Sequence, residues 1–307
     1  MRNPCQEQGI QSAISHVHFP AYQPKGLRMN NNSSNAPAWG AFAPQGMVAR
    51  LIRITRALPR SWLGQRLGFA VRKLAILLLG GKPVDHESLG ARFRLAPYRN
   101  VCEKRILFAP QDFDERERGF LATLITDRFV FLDIGANIGG YSLALASKAG
   151  RNARILAFEP QPDVFDRLVF NIAINPFGTV KAMALAVADR DGEVTLFLDP
   201  ANQGEASVKI VNQDGAGRVK VPARALLGIV QDEGLDHIDA MKLDVEGAED
   251  IILQRFLADA PESLWPRAIV LERGESRWSL DLLELLESKG YQRIMETRNN
   301  HVLERRK

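Results

Sequence analysis

The sequence predicts an α/β fold with a mostly parallel sheet and helices on both faces. Over residues 128–307, short apolar runs alternate with amphipathic helical stretches, which is the pattern of parallel βαβ units. The dipeptide Asn299-Asn300 makes a tight turn, so the last strand should run antiparallel to its neighbour. Strands are predicted at 129–133, 154–158, 179–187, 238–243, 267–271, 291–296 and 301–304, and helices at 139–149, 162–173, 248–258 and 279–289.

Three segments precede this core. Residues 1–46 are rich in Asn, Gln, Ser, Pro and Gly without an apolar period, which predicts a disordered tail. The true translation start is left open, with Met29 and Met47 as candidates for the functional start, and neither a secretory signal nor a transit peptide is favoured. Residues 47–84 predict a basic helical extension. Residues 85–127 form a lead-in, with strands expected at 91–96 and 105–108 and a helix at 114–124.

Charge is unevenly distributed along the chain. Residues 8–84 contain ten Lys or Arg and no Asp or Glu, so the net charge of +4 leaves the remaining residues, from 85 onwards, net acidic. A nucleic-acid partner is therefore not inferred from the total charge. The two cysteines, Cys5 and Cys102, form no CxxC motif, which argues against a disulfide framework or a zinc site and favours a cytoplasmic location.

The basic extension has two interpretations. Its apolar run, residues 74–79, is far shorter than the ~20 residues that a spanning helix needs. We favour a helical cap that packs on the catalytic region or on a second subunit. The alternative is peripheral contact of residues 48–79 with the inner face of an anionic membrane. The oligomeric state is left open.

The loop after the first core strand points to a cofactor. It reads Gly135-x-Asn137-x-x-Gly140, so asparagine replaces the middle glycine that would let the backbone approach a pyrophosphate. The strand ends in Asp133, whose charge repels phosphate but suits an ammonium or sulfonium group. Glu159 ends the next strand and can accept both hydroxyls of a ribose. S-adenosylmethionine fits this pattern better than NAD or FAD.

These residues and several later blocks resemble the FkbM family of S-adenosylmethionine-dependent methyltransferases. The resemblance runs from about residue 105 to 275 and implies a class I methyltransferase (Rossmann-like) fold, with action on a hydroxyl of a natural product or sugar. An insertion at 193–227 should add a small β-sheet after the third strand. The resembling blocks are residues 133–141, 158–160, 171–175, 188–192 and 242–249.

The candidate site residues lie at the carboxyl ends of the predicted strands. Asp244, Glu246 and Glu272 are the candidate catalytic residues, because removal of a hydroxyl proton benefits from a base. They could also hold Mg²⁺, but no His or Cys cluster accompanies them, so a metal-free site is favoured. The candidate cofactor-binding residues are Asp133, Gly135, Ala136, Asn137, Gly139, Tyr141, Glu159, Asp189 and Asp244.

Four other polar residues are assigned structural roles. Buried Lys242 should form an ion pair with Asp133 or Glu272. Glu249 and Asp250 should place favourable charge at a helix N-terminus. His237 precedes its strand, at the end of the sheet away from the site, and should lie at the surface.

The favoured function is O-methylation of a hydroxyl on a small-molecule natural product, sugar or glycan. There are two alternatives. The protein could methylate a nitrogen, or it could be a membrane-apposed partner protein that binds the cofactor without catalysis. Methylation of nucleic-acid bases is disfavoured, because Asp244-Val-Glu-Gly lacks the Asp/Asn-Pro-Pro-aromatic clamp. An NAD-dependent oxidoreductase is disfavoured by Asp133 and Asn137.

Overall fold

The computed structural model describes residues 37–198, 206–207 and 217–306. Its helices are α1 (Gly46–Ala57), α2 (Trp62–Leu79), α3 (Val101–Phe108), α4 (Glu115–Thr123), α5 (Gly140–Ala146), α6 (Pro162–Ala173), α7 (Leu226–Asp232), α8 (Glu249–Asp259) and α9 (Leu282–Ser288). Its strands are β1 (Val84–Ser88), β2 (Ala91–Leu95), β3 (Val130–Ile134), β4 (Arg154–Phe158), β5 (Val180–Met183), β6 (Ala186–Ala188), β7 (Gly192–Leu198), β8 (Ala206–Ser207), β9 (Gly217–Ala225), β10 (Ala240–Leu243), β11 (Ala268–Glu272), β12 (Tyr291–Glu296) and β13 (Asn300–Arg305).

The main sheet has seven strands in the order β12-β13-β11-β10-β3-β4-β5. The pairings from β5 to β11 are parallel, whereas β13 is antiparallel to both β11 and β12. The last strand is thus inserted antiparallel between its neighbours, as predicted. The chain order reverses between β3 and β10, and a ligand crevice forms at such a switch point in open α/β sheets.

Alternate residues of β3 point to two separate hydrophobic cores. Phe131 packs in the core that also contains residues of α3, α4 and α5. Val130, Leu132 and Ile134 pack in the other core, which contains residues of α7, α8 and α9. Both cores are needed because a parallel sheet is buried on both faces. The predicted layer of helices on each face is confirmed.

The predicted third strand is wrong as a single element. Residues 179–187 divide into β5, which belongs to the main sheet, and β6, which pairs with β9 in a second sheet. The break falls at Ala184 and Leu185. The second sheet has the order β6-β9-β7-β8 and confirms the predicted insertion. Helix α7 was not predicted. Strands were expected in the insertion at 194–198, 207–211 and 218–221, and residues 208–211 lie outside the described residues.

The lead-in contains a second wrong prediction. Residues 105–108, expected as a strand, are the end of helix α3. Asn100 begins this helix, because its side chain accepts a hydrogen bond from the backbone N–H of Glu103 at 3.2 Å. The apolar run Ile106 to Phe108 is buried on the helix, and such a short run does not distinguish a helix from a strand.

The β1–β2 hairpin is anchored on both sides. The backbone N–H groups of Gly40 and Phe42 donate to Asp85 on β1, so the disorder predicted through residue 46 does not hold for this segment. On the other side, buried Asn171 of α6 accepts from the backbone N–H of Arg94 and donates to the carbonyl of Ile138. Asn171 therefore links the hairpin to the loop after β3.

Helices α1 and α2 form the predicted basic extension. α1 buries Leu51, Ile52 and Thr55, whereas α2 buries only Gly64 and Ala75. Residue 64 must be glycine for α2 to lie against Pro59, since a Cβ there would lie 2.1 Å from the carbonyl oxygen of Pro59. Within the described ranges, no helix is long and apolar enough to cross a membrane.

Candidate active site

Three strand ends meet at Gly135, the residue after β3. Gly135 has φ +81°, and a Cβ there would lie 2.0 Å from the backbone oxygen of Asp244. The loop after β3 therefore touches the loop after β10 only because the residue is glycine. The N–H groups of Gly135 and Ala136 both donate to the carbonyl of Phe158, at the end of β4. This packing gathers the carboxyl ends of β3, β4 and β10.

Glu159 lies buried at the end of β4. Its Oε2 accepts from the backbone N–H of Asn137 at 3.0 Å, and its Oε1 accepts from that of Gln161 at 2.9 Å. Burial raises the pKa of Glu159 to about 7, against the lowering effect of these two hydrogen bonds. Each carboxylate oxygen can accept a further hydrogen bond. Glu159 also lines the crevice, so it can receive two hydroxyl donors from a ligand.

Asp133 lies beneath the loop and does not line the crevice wall. Its side chain is wholly buried, and Oδ2 accepts from the backbone N–H and the hydroxyl of Ser142. Oδ1 has no hydrogen-bond partner in the described part of the protein. Burial raises the pKa of Asp133, and the charge of Lys242 opposes this effect. Direct contact of Asp133 with a ligand stays a prediction.

Lys242 pairs with Asp244, which corrects the predicted partners Asp133 and Glu272. The Nζ–Oδ2 distance is 2.9 Å, and the lysine is buried while Asp244 is partly exposed in the crevice. Burial alone would lower the pKa of Lys242, but Asp244 and then Asp133 outweigh it, so this pKa is raised. The sequence placed the lysine next to Asp133 on the neighbouring strand, but its side chain reaches the strand end instead.

The three candidate catalytic residues lie together. Asp244, Glu246 and Glu272 each offer a carboxylate oxygen, and these oxygens all lie within 4.8 Å of one another. Glu246 has φ +57°, a strained conformation for a residue other than glycine. The structure thus brings the ends of β10 and β11 to one acidic cluster, as the sequence predicted.

Arg277 is a member of this cluster that the sequence did not reveal. Its guanidinium donates to Glu246 and, at 2.8 Å, to Glu272. The pKa of Glu272 is raised to about 8 by burial and by the charges of Asp244 and Glu246, while Arg277 opposes the shift. The sequence signal that could have revealed this contact is the short spacing between Glu272 and Arg277. It allows the arginine to fold back to the end of β11.

Glu249 and Asp250 have a larger role than charge at a helix N-terminus. Glu249 accepts from the backbone N–H groups of Val245 and Gly247 and from the indole N–H of Trp278. Asp250 accepts from the backbone N–H and the hydroxyl of Ser279. Both are wholly buried. They fasten the loop that carries Glu246 to the segment that carries Arg277.

The remaining predicted residues are less central. Tyr141 is buried and donates to Asp114 at 3.1 Å, so packing explains its position. Gly139 has φ +93° and packs against Leu168. Asp189 lies in the turn after β6 and is not among the described residues that line the crevice. His237 pairs with Asp236 and precedes β10, at the opposite end of the sheet, as predicted.

The empty space of the crevice is about 630 Å³, which includes space open to solvent. None of the described lining residues is Lys or Arg, so a pyrophosphate would meet carboxylates and no cation. A cationic sulfonium compound with a ribose would instead find two carboxylates, Glu159 and Asp244, on the crevice wall. The described lining residues are Ile134, Gly135, Asn137, Phe158, Glu159, Pro160, Gln161, Leu185, Ala186, Val187, Leu196, Asp244, Val245 and Glu246.

This sheet order and this crevice define a class I methyltransferase whose cofactor is S-adenosylmethionine. Residues 133–293 match the Methyltransferase FkbM domain family. The chain belongs to that family.

Two of the similar proteins below are named methyltransferases. The methyltransferase sdnD of Sordaria araneosa is 31% identical over 203 residues, which cover 56% of this chain and 76% of sdnD. The hexuronic acid methyltransferase AglP of Haloferax volcanii is 27% identical over 195 residues, which cover 64% of this chain and 73% of AglP. The AMB antimetabolite synthetase AmbE of Pseudomonas aeruginosa is 32% identical over 184 residues, which cover only 8% of AmbE.

Proposed function

We propose that the protein transfers a methyl group to a hydroxyl oxygen of a sugar, a glycan or a small-molecule natural product, with Glu272 as the base. The observation that carries the proposal is the raised pKa of Glu272, about 8, beside Asp244 and Glu246. A base is most effective when its pKa lies near the working pH. Bound S-adenosylmethionine supplies the activated methyl group.

The charge of the acceptor side supports a neutral hydroxyl, and not a carboxylate, as the group that receives the methyl. Three carboxylates face two cations, Lys242 and Arg277, and both cations are already paired with these carboxylates. An acceptor carboxylate would be repelled by Glu246 and Glu272, whereas a hydroxyl can donate a hydrogen bond to either. A carboxylate also needs no base, because it carries no proton at neutral pH.

Asp244 and Glu246 have supporting roles in this proposal. Asp244 is held by Lys242, lines the cofactor crevice and also belongs to the acidic cluster. It is therefore suited to bind the cationic end of the cofactor. Glu246, held by Arg277, is suited to orient a second acceptor hydroxyl. Alignment of the acceptor oxygen with the methyl carbon can contribute several kcal/mol. No step of the proposal needs a metal ion.

AglP, whose name specifies a hexuronic acid, suggests the first acceptors to test. Protein with a tritiated methyl donor should label hexuronic acids or hexosides, and the label should survive mild alkali, since ethers do and esters do not. Glu272→Gln should lose about 10²–10⁴-fold in turnover, and exposed Glu287→Gln should lose none. Alkali-labile label would show carboxylate methylation, and full turnover by Glu272→Gln would exclude Glu272 as the base.

A further inference from the structure

Helix α2 has an apolar face that the rest of the described protein leaves open. The inward side, with Gly64, Ala75 and Leu79, packs on α1 and the hairpin core. The opposite side, which we call the outer face of α2, carries leucines at spacings of four, seven and three residues. These side chains are 47–75% exposed. The outer face comprises Trp62, Leu63, Leu67, Phe69, Leu74 and Leu77.

Cations lie along this apolar face. Arg66 and Lys73, two helical turns apart, project on the same side of α2, and the guanidinium of Arg66 stacks 4.6 Å from the ring of Trp62. Neither makes an ion pair with a carboxylate in the part of the chain that the structure describes. Arg60, by contrast, pairs with Asp112 and Glu115.

We propose that the outer face of α2 docks on an anionic lipid bilayer. Leucine and aromatic side chains would enter the boundary between headgroups and acyl chains, while Arg66 and Lys73 meet lipid phosphates. Large exposed apolar patches mark such interaction surfaces. The complete absence of Asp and Glu from residues 8–84 makes the segment complementary to a negatively charged surface.

A second copy of the chain fits this face less well. Face-to-face pairing of two α2 helices would bring Arg66 and Lys73 close to their own counterparts. The outer face contains no carboxylate to offset that repulsion. A lipid surface covers the same leucines and also neutralises both cations, so the charges favour the bilayer.

The test uses the full chain and vesicles of phosphatidylglycerol with phosphatidylcholine, compared with phosphatidylcholine alone. The wild type should co-sediment with the anionic vesicles and be released by high salt. Arg66→Gln with Lys73→Gln should weaken binding about 25-fold, from about fivefold per cation. Leu67→Gln with Leu77→Gln should abolish it. Ile294→Gln, an exposed apolar residue on β12, is the matched control.

Two readouts keep the test decisive. Each variant should keep its thermal unfolding midpoint and its affinity for S-adenosylmethionine, since the altered side chains are exposed. The proposal is overturned by equal binding of wild type and α2 variants, or by equal binding to neutral vesicles. It is also overturned if the wild type does not bind vesicles and forms a dimer in analytical ultracentrifugation that Leu77→Gln dissociates.

Discussion

The ionisation of Glu272 should control how turnover depends on pH. With a pKa of about 8, roughly one molecule in ten carries the basic form at pH 7 and roughly nine in ten at pH 9. At saturating acceptor and cofactor, kcat should therefore rise about tenfold over this range and then level. The assay is transfer of a tritiated methyl group between pH 6 and pH 10.

Two neighbouring charges should move this profile in opposite directions. Arg277 lowers the pKa of Glu272, so Arg277→Gln should shift the rise to higher pH. Glu246 raises the same pKa, so Glu246→Gln should shift the rise to lower pH. Shifts of the same sign in both variants, or a rise that persists in Glu272→Gln, would refute the assignment of this pKa to Glu272.

Stability gives an independent readout of the same group. Because the folded-state pKa lies above the unfolded value of 4.5, the folded protein binds more protons, and stability falls as the pH rises from about 4.5 to about 8. Glu272→Gln removes this penalty. The variant should therefore unfold at a higher temperature than the wild type at pH 9 and lose the advantage near pH 4.5, while its turnover is reduced throughout.

Four further predictions follow from the site and its supports. Affinity for S-adenosylmethionine should weaken by up to about tenfold per pH unit as the pH falls below 7, because protonation of Glu159, with a pKa of about 7, turns one of its acceptor oxygens into a donor; calorimetry showing no such change contradicts this role. Gly135→Ala should abolish cofactor binding, because its Cβ meets Asp244, whereas Gly178→Ala, also at positive φ but in open space, should not. Asn171→Ala should cost about 2–3 kcal/mol in urea unfolding, since it leaves two backbone groups unpaired, and more exposed Asn175→Ala should cost less. Turnover should be unchanged in EDTA, and a loss that Mg²⁺ restores would assign Asp244, Glu246 and Glu272 to a metal.

The sequence predicted features that depend on spacing along one strand and its loop. Asp133, Gly135 and Glu159 could be placed because parallel strands end at one edge of a sheet, and the structure brings Gly135 and Glu159 to that edge. The antiparallel last strand was predicted from a second local pattern, the tight turn at Asn299-Asn300. These are local patterns with a defined geometric consequence.

Features that depend on distant packing could not be predicted in this way. Residues 105–108 are apolar in either a helix or a strand, and only the position of Asn100 decides for the helix. The partner of Lys242 depends on which way a long side chain turns. The contact of Arg277 with Glu246 spans 31 residues, and it requires the fastening of two loops by Glu249.

The ion pairs of the acidic cluster explain why the pKa of Glu272 is raised so far. Lys242 is buried behind Asp244, and Arg277 divides its guanidinium between Glu246 and Glu272. Glu272 therefore shares its cation, is largely buried, and lies beside two other carboxylates. Ionisation of all three would leave more negative charge than the two cations offset. The proton that relieves this excess binds most readily to Glu272, and in the proposed reaction the deprotonated form of Glu272 accepts the proton of the acceptor hydroxyl.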